Sequence, residues 1–210
     1  MRISIVEYGV GNIQSVVNVC EKLGYQSDIA RNGDDVLRQK AQRVILPGVG
    51  AVGHTLQALQ SRGLIVALTD TVKHGGTPFL GICVGMQVLA STCNEFGTHQ
   101  GLGWIPGEVS RIVPPGSGIV VPHVGWNTLN VTNPDDPVIG DLDGEDFYFV
   151  HSQVMRCDER YVLAKTDYHT EFVSAVRKNN IFGVQFHPEK SSVVGERLIA
   201  AFIENCDAEA

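Results

Sequence analysis

Pro78-Phe79-Leu80-Gly81-Ile82-Cys83-Val84-Gly85-Met86-Gln87 decides the reading of this chain. An apolar run ends in Gly-x-Cys-x-Gly and passes into a helical pattern over Met86-Gln87-Val88-Leu89-Ala90. A strand-to-helix turn of this kind strains the backbone of its central residue, and small neighbours are needed to avoid clashes. The turn lifts the side chain over the sheet edge. The following helix N-terminus offers backbone N–H groups and a positive dipole end that favour a thiolate. A cysteine met at random is more often a buried apolar thiol. Glycines at this spacing, between a strand and a helix, turn the reading towards a nucleophile once a base is found.

The base stands in Ile181-Phe182-Gly183-Val184-Gln185-Phe186-His187-Pro188-Glu189-Lys190. Again an apolar, strand-like run ends in chemistry. Pro188 removes a backbone donor and stops further pairing just after His187. Glu189 follows two residues later, close enough to fold back onto the imidazole N–H. Cys83, His187 and Glu189 thus form a nucleophile, a base and a group that orients the base. His-Pro-Glu alone would also suit a solvated loop; the cysteine turn gives it meaning.

Composition narrows the classes. A chain of 210 residues buries roughly 70% of its unfolded surface, enough for one domain with a sizeable core. A net charge of -7 without a basic cluster argues against nucleic acid or anionic membrane as partner. No apolar run reaches the roughly 20 residues of a membrane helix, and Met1–Val6 reads as a strand, not a signal peptide. Five scattered cysteines fit reduced thiols in a cytoplasmic protein. No cofactor and no metal is expected, since no His/Cys pair has metal-ligand spacing. His123 and His151 read as loop residues held by hydrogen bonds.

The first half alternates strand (3–7, 26–30, 43–46, 79–82) with helix (13–24, 34–40, 52–60, 64–73), Asn12 being placed to cap the first helix. The second half is strand-like at 108–113, 118–122, 146–150, 161–164, 171–176 and 181–186, with a helix at 193–205. The fold class predicted is α/β: a central, mostly parallel sheet flanked by helices, with an additional antiparallel strand layer. Residues 1–205 read as one domain and 206–210 as a frayed tail. Gly48-Val49-Gly50-Ala51-Val52-Gly53 imitates a dinucleotide fingerprint. However, Pro47 precedes it, it follows the third strand, and Asp70 sits inside a helical pattern instead of ending the next strand. A backbone loop beside the cysteine turn, with glycines that permit a peptide flip, is the better reading.

The chain resembles the class I (triad) glutamine amidotransferases, and among them the glutaminase subunits of imidazole glycerol phosphate synthase. The motifs are Tyr8-Gly9-Val10-Gly11-Asn12, Leu46–Gly50, Leu80–Gln87, Pro122-His123-Val124-Gly125-Trp126-Asn127, Tyr148–Ser152 and Gly183–Ser191. They cover nearly the whole chain in the family's order; Val84, where the family more often has Leu, is a minor departure. The chemistry that follows has Cys83 attacking the side-chain amide of L-glutamine. Oxyanion donors are assigned to the N–H of Val84 and a peptide at Val49–Gly50. The resemblance implies that Gln87, Glu95, His151 and Ser152 hold the substrate. It also implies a heterodimer with a (βα)8-barrel cyclase docked around Asn12, Trp126 and Lys190. Three other readings stand beside it: a paralogue feeding a barrel synthase of surface-glycan sugars, a free-standing cysteine hydrolase, and a non-catalytic binding subunit.

Overall fold

Residues 1–112 and 118–206 are described by a computed structural model, and the first half is built as the alternation predicts. In chain order come β1 (Arg2–Val6), α1 (Ile13–Lys22), β2 (Gln26–Ala30), α2 (Gly33–Gln39), β3 (Arg43–Gly48) and α3 (Val52–Ser61). They are followed by α4 (Leu64–Leu68), a π-helical turn over Thr69–His74, β4 (Phe79–Cys83) and α5 (Val84–Gln87). The apolar spacing of α1 buries Val16, Val17 and Cys20, as read from the sequence. Asn12 does stand at its N-cap position but does not cap it; its amide instead donates to the Ser15 hydroxyl at 2.9 Å.

The second half comprises β5 (Thr92–Asn94), β6 (Thr98–Gln100), β7 (Gly107–Arg111), β8 (His123–Thr128), β9 (Asn130–Val131), β10 (Asp146–His151) and β11 (Gln153–Cys157). It continues with β12 (Val162–Asp167), β13 (Glu171–Lys178), β14 (Ile181–Val184) and α6 (Ser192–Asn205). No strand forms over 118–122, where Gly118 takes φ +77 and the backbone bends. Residue 113, at the end of the preceding expected strand, lies outside the described residues, as do 207–210 of the tail. Cys206, assigned to that tail, is fully buried.

The main sheet runs β2-β1-β3-β4-β14-β13-β11-β7-β5-β6, with β12 paired to β13 and β9. From β2 to β14 every pairing is parallel. Beyond β14 the pairings with β13, β11 and β7 are antiparallel. The antiparallel strands thus prolong the parallel sheet, and a separate ribbon of β8 and β10 lies beside it. Of the parallel strands, β3, β4 and β14 are buried along their whole length and β1 beyond its first residue, which is why they read as continuous apolar runs, while the edge strand β2 is partly exposed. Phe147 and Phe149 of the ribbon seal onto Phe186, with ring centroids 4.2 and 5.5 Å apart. This register brings the carboxyl ends of β3, β4 and β14 side by side, pairing Gly48 with Cys83 and Ile82 with Val184. Ligands of open α/β sheets bind at such strand ends.

Candidate active site

Cys83 ends β4 at φ +55 and ψ −109, a backbone conformation costly for any side chain. It persists because the surroundings demand it. A Cβ on Gly81 would meet the Gly85 carbonyl oxygen at 2.4 Å, and one on Gly85 would meet the Leu46 oxygen at 1.9 Å. The glycines therefore serve close packing of the turn against β3, as much as conformational freedom. The helix that follows is shorter than the sequence pattern suggests. α5 is a single turn ending at Gln87, and a turn follows it. A macrodipole argument for the thiolate loses most of its force there, and local N–H groups remain.

His187 follows β14, on the strand next to Cys83 in the sheet. Its backbone N–H donates to the Tyr148 carbonyl at 2.9 Å, and the Ser191 hydroxyl donates to the His187 carbonyl at 2.6 Å. The Tyr148 N–H in turn donates to that hydroxyl at 3.0 Å. The ribbon strand β10 and the 187–191 turn are thereby locked together, and the imidazole is left 1% exposed. Its Nδ1 lies 2.8 Å from Glu189 Oε1. The other ring nitrogen, Nε2, has no hydrogen-bond partner among the described residues. Burial pushes the imidazole pKa down, but contact with Cys83 and Glu189 and their negative charge outweigh it, so the net shift is upward.

The sulfur has one polar neighbour absent from the sequence reading. Gln185 Nε2 donates to Cys83 Sγ at 3.6 Å, while Gln185 Oε1 accepts from Gln87 Nε2 at 3.0 Å. Gln87 Nε2 also donates to the Gln153 carbonyl at 3.2 Å. The amide nitrogen of Gln87 is thus spent inward, although its side chain lines the cleft. Gln185 carried a signal: a polar residue inside an otherwise apolar strand run, fully buried in the fold.

A cleft of about 410 Å³ opens over the turn, within the range of roughly 300–1,000 Å³ usual for small-molecule sites. It gathers Val49, Gly50, Cys83, Val84, Gln87, Glu95, His151, Ser152 and Lys190 into one wall, with Pro122, Val150 and Gln153 added. Glu95 lies in the turn between β5 and β6, two short strands that the sequence reading did not contain. The Tyr8 hydroxyl nearby is buried, which pushes its pKa up to about 12. The peptide between Val49 and Gly50 lines the cleft, with Gly50 itself at φ +91. Gly53 has no room for a dinucleotide, because the His99 ring fills its side, 2.6 Å from where a Cβ would stand.

His123 and His151 form a chain of neutral rings. His151 Nδ1 lies 3.0 Å from the Gln153 carbonyl, so that nitrogen carries the proton. His151 Nε2 then accepts from His123 Nδ1 at 3.1 Å, and His123 Nε2 accepts from the Asn127 amide at 3.4 Å. Burial lowers the two pKa values to about 3 and about 4. Both rings lie on strands of the ribbon, where the sequence reading had loops. Trp126 likewise belongs to strand β8 and is 55% exposed, on the same face as the exposed Val124. The Trp126 ring stands edge-on to Tyr148, 6.2 Å away. Asn12 and Lys190 are exposed, and the 188–190 turn packs against both α1 and β10.

The family model for class I glutamine amidotransferases matches residues 4–206. Among similar proteins, imidazole glycerol phosphate synthase subunit HisH of Zymomonas mobilis is 41% identical over 207 residues, covering 96% of this chain and 95% of its own. The subunit of the same name from Archaeoglobus fulgidus is 41% identical over 201 residues, covering 96% and 97%. Among solved structures, a glutamine amidotransferase superimposes with a TM-score of 0.74 at 21% identity, over 96% of this chain and 97% of that one. The PurLQS structure from Thermotoga maritima gives 0.73 at 19%, with 96% and 97% covered; both report on the fold alone. The chain belongs to the class I glutamine amidotransferases, among the imidazole glycerol phosphate synthase HisH subunits.

Proposed function

We propose that this chain hydrolyses L-glutamine to glutamate and ammonia with Cys83 as nucleophile, His187 as acid–base and Glu189 as the group that orients it. The observation that carries the reading is the pairing of a strained Cys83 with a buried His187 whose far nitrogen is held by Glu189. The thiolate of Cys83 attacks the amide carbon, and the carbonyl π electrons move onto oxygen. The N–H groups of Val84 and Gly50 receive that charge. One such donor is typically worth about a hundredfold or more in turnover. The His187 imidazolium gives its proton to the departing nitrogen, so the C–N bond breaks, ammonia leaves and a glutamyl thioester remains. Water, losing its proton to His187, then attacks the thioester; glutamate leaves and the thiolate returns. Glu95, Ser152 and the backbone at His151 are the groups we assign to the amino acid's ammonium and carboxylate.

The relatives are named as subunits of a synthase, and free ammonia protonates at neutral pH to an unreactive cation. We therefore read the chain as the smaller half of a cytoplasmic heterodimer. Its partner is a (βα)8-barrel cyclase that takes up ammonia to form imidazole glycerol phosphate and an aminoimidazole carboxamide ribonucleotide. Asn12, Trp126 and Lys190 are the docking residues in this reading. Among the described residues no helix is long and apolar enough to cross a membrane. The test is glutamate release by the isolated chain and after addition of cyclase and its nucleotide ligand. Strong stimulation by both is expected; full activity alone, unchanged by any barrel partner, would favour a free-standing hydrolase.

A further inference from the structure

The loop that carries the Gly50 donor is fixed at both ends. Its start is held by the sheet, because Gly48 pairs in register with Cys83. Its far end is held by Glu95, whose Oε2 accepts a hydrogen bond from the Val52 N–H at 2.8 Å. Val52 is the first residue of α3, and Ala51 before it has no side chain that could satisfy a free helix amide. Glu95, from the β5–β6 turn, supplies the missing cap. That turn is itself seated on α3: His99 Nε2 lies 3.1 Å from the Glu95 carbonyl oxygen, and its ring occupies the side of Gly53. Between the two anchors Gly50 stands at φ +91, with nothing within 4 Å of an added Cβ. Gly50 thus stands in a left-handed conformation open to glycine between two fixed points, and the anchoring carboxylate also lines the cleft beside Cys83.

We propose that Glu95 is a positioning residue for the oxyanion loop as well as a ligand for substrate. One carboxylate oxygen holds the start of α3, and so sets the position of the Val49–Gly50 peptide. The same group, by its charge, takes the ammonium of the bound amino acid. The loop then reads whether the pocket is occupied. This rests on the glutaminase reading, and it separates two properties that a plain ligand would not: charge, and acceptance of the Val52 N–H.

Glu95→Gln keeps an acceptor oxygen and loses the charge, Glu95→Asp keeps the charge on an arm too short to reach Val52, and Glu95→Ala loses both. In the full chain with cyclase and nucleotide ligand, Glu95→Gln should raise KM for glutamine about tenfold or more and change kcat little. Glu95→Ala and Glu95→Asp should lower kcat about tenfold or more, as a displaced oxyanion donor does. Amide hydrogen exchange over residues 49–52, measured without glutamine, should quicken in Glu95→Ala and Glu95→Asp and stay near wild type in Glu95→Gln. Equal kcat and equal exchange in all three variants would overturn the tether and leave Glu95 a ligand only. Absence of glutamate release by the wild-type complex would sink the glutaminase reading and the coupling with it, whereas the exchange comparison still reports the tether by itself.

Discussion

Mild acid should loosen this fold through two histidines that take no part in the proposed proton transfers. In the chain from Asn127 through His123 and His151 to the Gln153 carbonyl, every ring nitrogen has a role only the neutral tautomers can fill. A second proton on either ring would set two N–H groups face to face. The rings are 2% and 5% exposed, stacked among Phe149, Tyr168 and Phe172. His187 also faces His151 and opposes its charging. Burial lowers the folded pKa values to about 4 for His123 and about 3 for His151, against 6.5 as the ordinary value. The unfolded chain therefore binds these protons first, and stability present above pH 6.5 is lost as pH falls towards those folded values. Between pH 7 and pH 5 each ring contributes about 2 kcal/mol of loss, so the pair loses about 4 kcal/mol. His187 opposes this loss by a small part in that window. Its pKa is raised on folding, so its contribution is complete below the unfolded value and declines from there as pH climbs to the folded one. Urea unfolding at pH 7 and pH 5 should show the midpoint fall by about 1.5 M for the usual slope of a chain this size. The His151→Gln variant should show a smaller fall. An unchanged midpoint, or the same fall in His151→Gln, would refute the neutral-chain argument.

Three further outcomes follow from the same geometry. Gly85→Ala puts a Cβ 1.9 Å from the Leu46 oxygen, an overpacking that costs about 3 kcal/mol or more; thermal unfolding should show it, and any soluble protein should have lost glutaminase activity. His187→Ala should abolish glutamate release, while Glu189→Gln should keep weak activity because the imidazole stays buried in place; steady-state kinetics with the partner decides between them. Trp126→Ala, which removes an exposed ring from β8, should weaken binding of a barrel partner about tenfold or more in titration. It should leave labelling of Cys83 by glutamine analogues intact.

The parallel half of the sheet was legible because its central strands are buried on both faces and its helices bury one stripe. Arg43–Gly48, Phe79–Cys83 and the burial of Val16, Val17 and Cys20 follow directly from that patterning. The triad was legible because each member ends an apolar run, where a strand must stop and chemistry can start. The ribbon was not. His123–Thr128 has a glycine at its centre, and its burial comes from aromatic stacking with residues far away in sequence. Short strands such as β5 and β6 exist only through pairing, which no local pattern records. Gln185 stands inside an apolar motif, and its significance lies in two contacts, with Gln87 and Cys83, that only the fold creates. The length of α5 was overread: an apolar pattern over residues 86–90 continues into a turn and not into further helix.

The nucleophile itself can be trapped. Burial pushes the thiols of Cys20, Cys93 and Cys157 up to about 12, 11 and 11, which makes them poor competitors. The chain, in complex with its cyclase, is treated with a diazo-ketone analogue of glutamine and mapped by peptide mass spectrometry. A single adduct on Cys83, suppressed by excess glutamine and absent from His187→Ala, is the result this account predicts. An adduct on Cys93 or Cys20 with Cys83 unmodified would contradict it.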